Sequence, residues 1–132
     1  MTYKIQKTED EWKQLLSPEQ YHILRESGTE AAFCGLLYNN HKAGKYACGA
    51  CKTTIFASDN KFESGTGWPS FFQPISSELL ELKEDRNYGM ARTEVNCGSC
   101  GSHLGHVFND GPPPTGKRYC INSEALIFEE SK

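Results

Sequence analysis

No stretch of this 132-residue chain holds the run of about 20 apolar residues that a membrane-crossing helix needs. The opening segment, MTYKIQKTEDEWKQLL, also lacks the apolar centre of a secretory leader. Both absences lead to the expectation of a soluble protein of the cytoplasm with no membrane partner. Positive charge is scarce too. Fourteen lysines and arginines face 17 aspartates and glutamates, for a formal net charge of -3, and the lysines are scattered among the acids. Such a chain has no basic field to hold a polyphosphate, which argues against nucleic acid and favours a small molecule or a protein as partner. Internal repeats and low-complexity linkers are missing as well. The length suits one core, so the expectation is a single domain over residues 1–132, working as a monomer.

What the chain does hold is six cysteines, at positions 34, 48, 51, 97, 100 and 120. A reducing cytosol keeps such thiols from forming a disulfide framework, so they are ligands, catalysts or core residues. Four of them form Cys48-Gly-Ala-Cys51 and Cys97-Gly-Ser-Cys100, two Cys-x-x-Cys units separated by 45 residues. Each unit can aim two thiolates from one turn at a single ion, and four thiolates close a tetrahedral shell. Zinc is the expected occupant, one per chain, because it accepts sulfur and tolerates any geometry. Iron is a lesser alternative. A closed shell leaves no position for substrate, so the expected role is structural. A redox pair of the thioredoxin kind would need a βαβ pattern beside it, and none is evident.

Two helices are expected near the N-terminus. Thr8 with Glu11, and Ser17-Pro18 with Gln20, have the spacing of capping boxes, and Gly28 ends the second helix. Trp12, Leu15, Leu16, Tyr21 and Leu24 would give them an apolar stripe. From about Tyr46 the texture changes to short aromatic and β-branched runs broken by Gly, Asn, Asp and Pro, which predicts antiparallel strands. Thr53–Phe56, Tyr119–Asn122 and Ala125–Phe128 are three of these. Leu79–Asp85 has features of helix and strand, and the alternation of Leu80 and Leu82 with acids favours strand.

Two cysteines remain. In Lys117-Arg118-Tyr119-Cys120-Ile121-Asn122, Arg118 and Asn122 would share a strand face with Cys120. Nearby positive charge and hydrogen-bond donors favour a thiolate, so Cys120 is a candidate nucleophile. His103 and His106 follow the second Cys-x-x-Cys unit directly and are candidate proton donors. Each of these residues also has a plainer reading. A lone strand cysteine is often inert core, and the Trp68 segment could be a loop around a core tryptophan. On that reading the chain is a binding module that does no chemistry.

Taken together, four segments closely resemble the methionine sulfoxide reductase B family. They are Ser64-Gly-Thr66-Gly-Trp68-Pro-Ser-Phe71, Arg92-Thr-Glu94-Val95, His103-Leu-Gly-His106-Val-Phe108-Asn-Asp110-Gly-Pro-Pro-Pro-Thr-Gly116 and Arg118-Tyr-Cys120-Ile-Asn122-Ser123. The resemblance runs from about residue 9 to residue 129. It implies a mainly β fold, a β-tent of two antiparallel sheets leaning together, with N-terminal helices and zinc at one end. It also implies reduction of methionine-R-sulfoxide, free or in proteins. Trp68 and Phe108, with Arg118 near them, would bind the substrate. His103, His106 and Asn122 would orient the sulfoxide oxygen and supply protons, and Cys120 would attack sulfur and become a sulfenic acid. Many members of the family carry a resolving cysteine where this chain has Thr66. Cys34 is the one thiol left once Cys120 and the four-cysteine set are assigned, so it is the expected resolving residue, with thioredoxin reducing the Cys34–Cys120 disulfide.

Overall fold

The computed structural model describes residues 5–26, 28, 37, 40–62, 67–85 and 92–130. Both expected capping boxes form. Thr8 and Glu11 exchange side-chain-to-backbone hydrogen bonds at the start of α1 (Glu9–Leu15), and Ser17 and Gln20 do so at the start of α2 (Pro18–Arg25). Gly28 follows α2 and donates to the carbonyl of His22. Helices this short are marginal alone and depend on packing. Trp12, Leu16, Ile23 and Leu24 supply it, all buried, whereas Leu15 is 60% exposed and does not join the stripe. Arg25 lies over the Trp12 ring, 4.9 Å from its centroid, and donates to Cys100 O and Ser102 Oγ, both at 3.1 Å. The helices thereby brace the second cysteine unit.

The strands among the described residues form two antiparallel sheets. The first has the order β2 (Thr54–Ala57), β1 (Gly44–Cys48), β9 (Leu126–Glu130). The second has the order β3 (Lys61–Phe62), β4 (Ser70–Phe71), β8 (Arg118–Ile121), β7 (His103–Phe108), β6 (Arg92–Cys97), β5 (Leu80–Asp85). The expected strand at Leu79–Asp85 is therefore β5, an edge strand. Its Leu82 is 52% exposed. The final strand begins one residue later than its sequence suggests, because Ser123–Ala125 forms a single 3-10 turn closed by Ala125 N–H on Asn122 O.

Aromatic rings join the sheets. Phe71 of β4 stacks on Phe56 of β2 at 4.2 Å and meets Tyr46 of β1 edge-on at 5.1 Å. All three rings are fully buried, and rings of this size carry much of a small core's apolar area. Cys48 ends β1 in one sheet, and Cys97 ends β6 in the other. A metal held by both units would tie the sheets at that end.

Candidate active site

The two cysteine units are built alike. The first cysteine of each accepts from the amide four residues on, Lys52 N–H to Cys48 O at 2.9 Å and Gly101 N–H to Cys97 O at 2.8 Å. Its own amide donates to the residue five on, Thr53 or Ser102, at 2.8 Å. The residue after the second cysteine takes a positive φ, 68° at Lys52 and 77° at Gly101. These turns bring all four Sγ atoms within 4.8 Å of one another. Cys48 and Cys100 sulfurs are 3.8 Å apart, and those of Cys51 and Cys97 3.6 Å. A disulfide would need about 2.05 Å. A zinc tetrathiolate with bonds of about 2.3 Å has tetrahedral edges of about 3.8 Å, so the spacing fits an ion of that kind. Hydrogen bonding with Cys48 holds the Cys100 thiol down to about 7, and bonding with Cys100 holds Cys51 down as well, while contacts with Cys100 push Cys48 and Cys97 up. Thr53 Oγ1 and Ser102 Oγ stand 3.1 Å from Cys51 and Cys100 sulfurs, the outer contacts that orient metal ligands.

Ser102 leads straight into β7, which pairs with β6 on one side and β8 on the other. The register aligns a row across the sheet: Glu94 opposite His106, His106 opposite Cys120, and Cys120 opposite Ser70. Phe108 opposes Arg118 in the next row. Over these rows opens a cavity of 270 Å³, with Trp68 and Phe108 on its walls and Arg92, His106, Arg118 and Asn122 grouped with Cys120. The Trp68 segment is fixed there by Ile121 N–H donating to Pro69 O at 2.9 Å and by Ser70 Oγ donating to Trp68 O.

Polar groups around the thiol are held in place. Arg118 grips the Asp110 carboxylate through Nε and Nη2 at 2.9 and 3.1 Å, and its guanidinium lies 4.5 Å from the Phe108 centroid. The Asp110 hydrogen bond keeps Arg118 charged, and Cys120 adds to this in smaller measure. The same bond draws the Asp110 carboxyl below its usual value. Asn122 donates from both its amide and its side chain to Leu104 O, at 3.0 and 3.1 Å.

The SelR domain family matches residues 16–130 of the chain. The chain is 62% identical over 125 residues to the peptide methionine sulfoxide reductase MsrB of Methanosarcina barkeri, covering 95% of this chain and 88% of that protein. It is 55% identical over 130 residues to the protein of the same name from Leptospira interrogans, covering 98% and 99%. Against that of Methanosarcina mazei the identity is 59% over 129 residues, covering 98% and 92%.

The chain belongs to the methionine sulfoxide reductase B family.

For this member of the methionine sulfoxide reductase B family, the structure brings six of the residues singled out in the sequence to one cavity: Trp68, His106, Phe108, Arg118, Cys120 and Asn122. His103 stands elsewhere. It is 4% exposed and does not line the cavity; its Nδ1 is 2.8 Å from Glu94 Oε2, and its ring is 5.5 Å from that of His106. In an ideal strand, residues three apart point to opposite faces. Here β7 has one more residue than β6 between two paired positions, with Val95 opposite Gly105 and Asn96 opposite His103, and this bulge keeps His103 beside Glu94. Cys34 and Thr66 lie outside the described residues. Sequence reasoning gave no role to Arg92, Glu94 or Asp110. Their charge was visible, but their nearness to Cys120 and the histidines depends on register and on the bulge.

Proposed function

We propose that this chain reduces methionine sulfoxide to methionine, acting on the R epimer, free or in proteins, with Cys120 as nucleophile. The observation that carries the reading is the register pair of Cys120 and His106 inside a cavity whose walls are Trp68 and Phe108. A methyl sulfoxide has an apolar methyl and a strongly polar oxygen on one chiral sulfur. The aromatic rings receive the methyl, while His106 and Asn122 receive the oxygen, so inverting the sulfur exchanges the two groups and disfavours one epimer. Resemblance to the family makes the preferred epimer R.

The Cys120 thiolate attacks sulfur, and a proton delivered through His106 goes to the departing oxygen. The oxygen then passes to the Cys120 sulfur as the substrate S–O bond and the newly formed S–S bond break, so methionine leaves and Cys120 holds the oxygen as a sulfenic acid. Arg118, anchored by Asp110, favours the thiolate beforehand. The Cys34 thiol then displaces water from the sulfenic acid and forms a Cys34–Cys120 disulfide, which the dithiol of thioredoxin reduces by exchange. Cys48, Cys51, Cys97 and Cys100 hold one structural zinc that anchors β7 and therefore the cavity. This activity belongs to one domain, residues 1–132, acting as a monomer in the cytoplasm.

The test is turnover of the two resolved methionine sulfoxide epimers with thioredoxin, for the wild type, Cys120→Ser and Cys34→Ser. The expected result is R-selective turnover, abolished in Cys120→Ser, and a Cys34→Ser enzyme that stops after one turnover with thioredoxin. Wild-type protein inactive on both epimers overturns the activity. Normal thioredoxin-driven turnover by Cys34→Ser overturns only the recycling route.

A further inference from the structure

We infer that Glu94 is a positioning residue for this reaction, which acts through His103 to keep a proton available to His106; the inference rests on the sulfoxide reductase reading above. Its basis is the arrangement behind the cavity wall. Glu94 Oε2 meets His103 Nδ1 at 2.8 Å, and its other oxygen accepts from Asn96 Nδ2 at 3.2 Å. Glu94 is also the register partner of His106, itself the partner of Cys120, so carboxylate, imidazole and thiol lie in one row across three adjacent strands. The His103 ring meets the His106 ring at 68°. His103 is nearly sealed from solvent and has no place on the cavity wall, so its influence on substrate passes through His106.

The chemistry needs such a group. Converting sulfoxide and thiolate into thioether and sulfenic acid consumes one proton, which ends on the transferred oxygen. A carboxylate at Nδ1 fixes that nitrogen as the protonated one and favours the imidazolium form of a histidine. A carboxylate–imidazole pair behind His106, its imidazole buried and its carboxylate half-buried, therefore holds positive charge and resupplies the proton after each turnover. The other charged and titratable groups around the pair are Lys83 of β5, opposite Glu94, with Glu81 at 3.5 Å from its Nζ, then Arg92, Arg118 and Cys120 on the cavity side, and Arg25, which holds Ser102 next to His103.

Glu94→Gln keeps the shape and removes the charge. With methionine-R-sulfoxide as substrate, kcat is expected to fall about tenfold or more, with KM within about twofold, as for loss of proton delivery. The alkaline limb of the kcat profile moves to lower pH, because the protonated form loses its carboxylate. Zinc content and melting temperature stay near wild type. A wild-type kcat and limb in Glu94→Gln overturn the role, and so does a kcat loss that merely tracks lost zinc or early melting. Ring 15N shifts of His103 in the wild-type protein give a readout independent of any variant, with a proton on Nδ1 expected and a bare Nδ1 overturning the inference. Wild-type protein that reduces neither epimer removes the activity and this role together, whereas an active wild type with an unaltered Glu94→Gln removes the role alone.

Discussion

Lys52 and Gly101 occupy the same place in the two cysteine turns, each following the second sulfur of its pair at positive φ. Glycine accepts that conformation freely, whereas the Cβ of lysine crowds the following carbonyl, at a cost of about 1–2 kcal/mol. The Lys52 side chain is exposed, so the strain is a local consequence of the turn. Lys52→Gly is therefore expected to stabilise the protein by about 0.5–1 kcal/mol after allowing for glycine's greater freedom when unfolded. Thermal melting of the zinc-loaded protein checks this, as a rise of about 2–5 °C. Gly101→Ala should move the melting point the other way. An unchanged or lower melting temperature for Lys52→Gly would mean that the lysine stem offsets its own strain by covering the turn.

Strands β7 and β8 approach closely at Gly105, which pairs with Ile121 and borders the cavity. A Cβ at Gly105 would sit on the carbonyl oxygen of Cys120 and 2.9 Å from Ile121 Cα. Both obstacles are backbone of a strand paired on its two sides, so the ladder yields only if β8 moves outward. Gly105→Ala is expected to cost about 1–3 kcal/mol of stability and, by drawing Cys120 away from His106, to lower kcat for the sulfoxide by about tenfold or more. Steady-state kinetics beside a denaturant melt reads both effects, and a variant matching wild type in both would show that the ladder absorbs a methyl. Legibility at this scale followed the range of the interactions. Capping boxes at Thr8 and Ser17 are local hydrogen-bond patterns, and the sequence carried them fully. The strand at Leu80–Asp85 and the clustering of four cysteines were also readable, one from alternation and the other from spacing. Leu15 was misplaced because seven residues of helix define its buried face poorly, and Ile23 took a core position instead. The bulge in β7 carries no local signature, so neither the contact of His103 with Glu94 nor its absence from the cavity wall could be read from residue spacing.

For the whole molecule, the four-cysteine set brings Cys48 of the first sheet to Cys97 of the second, with 45 residues that hold β2 to β5 and most of β6 between the two cysteine pairs. Closing a loop of that size in the unfolded chain costs about 4 kcal/mol of entropy, and a cross-link held in the native state removes that cost. The aromatic core formed by Tyr46, Phe56 and Phe71 lies between the sheets and does not depend on the sulfurs. Metal removal should therefore loosen the protein without dissolving all its structure. A strong chelator is expected to lower the melting temperature by about 10–20 °C, at about 3–5 °C per kcal/mol for a chain of this length. Sulfoxide reduction should fall with it, because β7 leaves the second cysteine turn only two residues before His103. Zinc added back should restore both. Replacing Cys48 or Cys100 by Ser should reproduce the chelated state and lose the metal, while Cys120→Ser should keep the metal and the melting temperature and lose only turnover. If the chelated protein melts where the zinc protein does, the two sheets are held by their core alone and the cysteine set has no structural part. If it melts lower but keeps full turnover, the metal stabilises the fold without positioning the strand that carries His106.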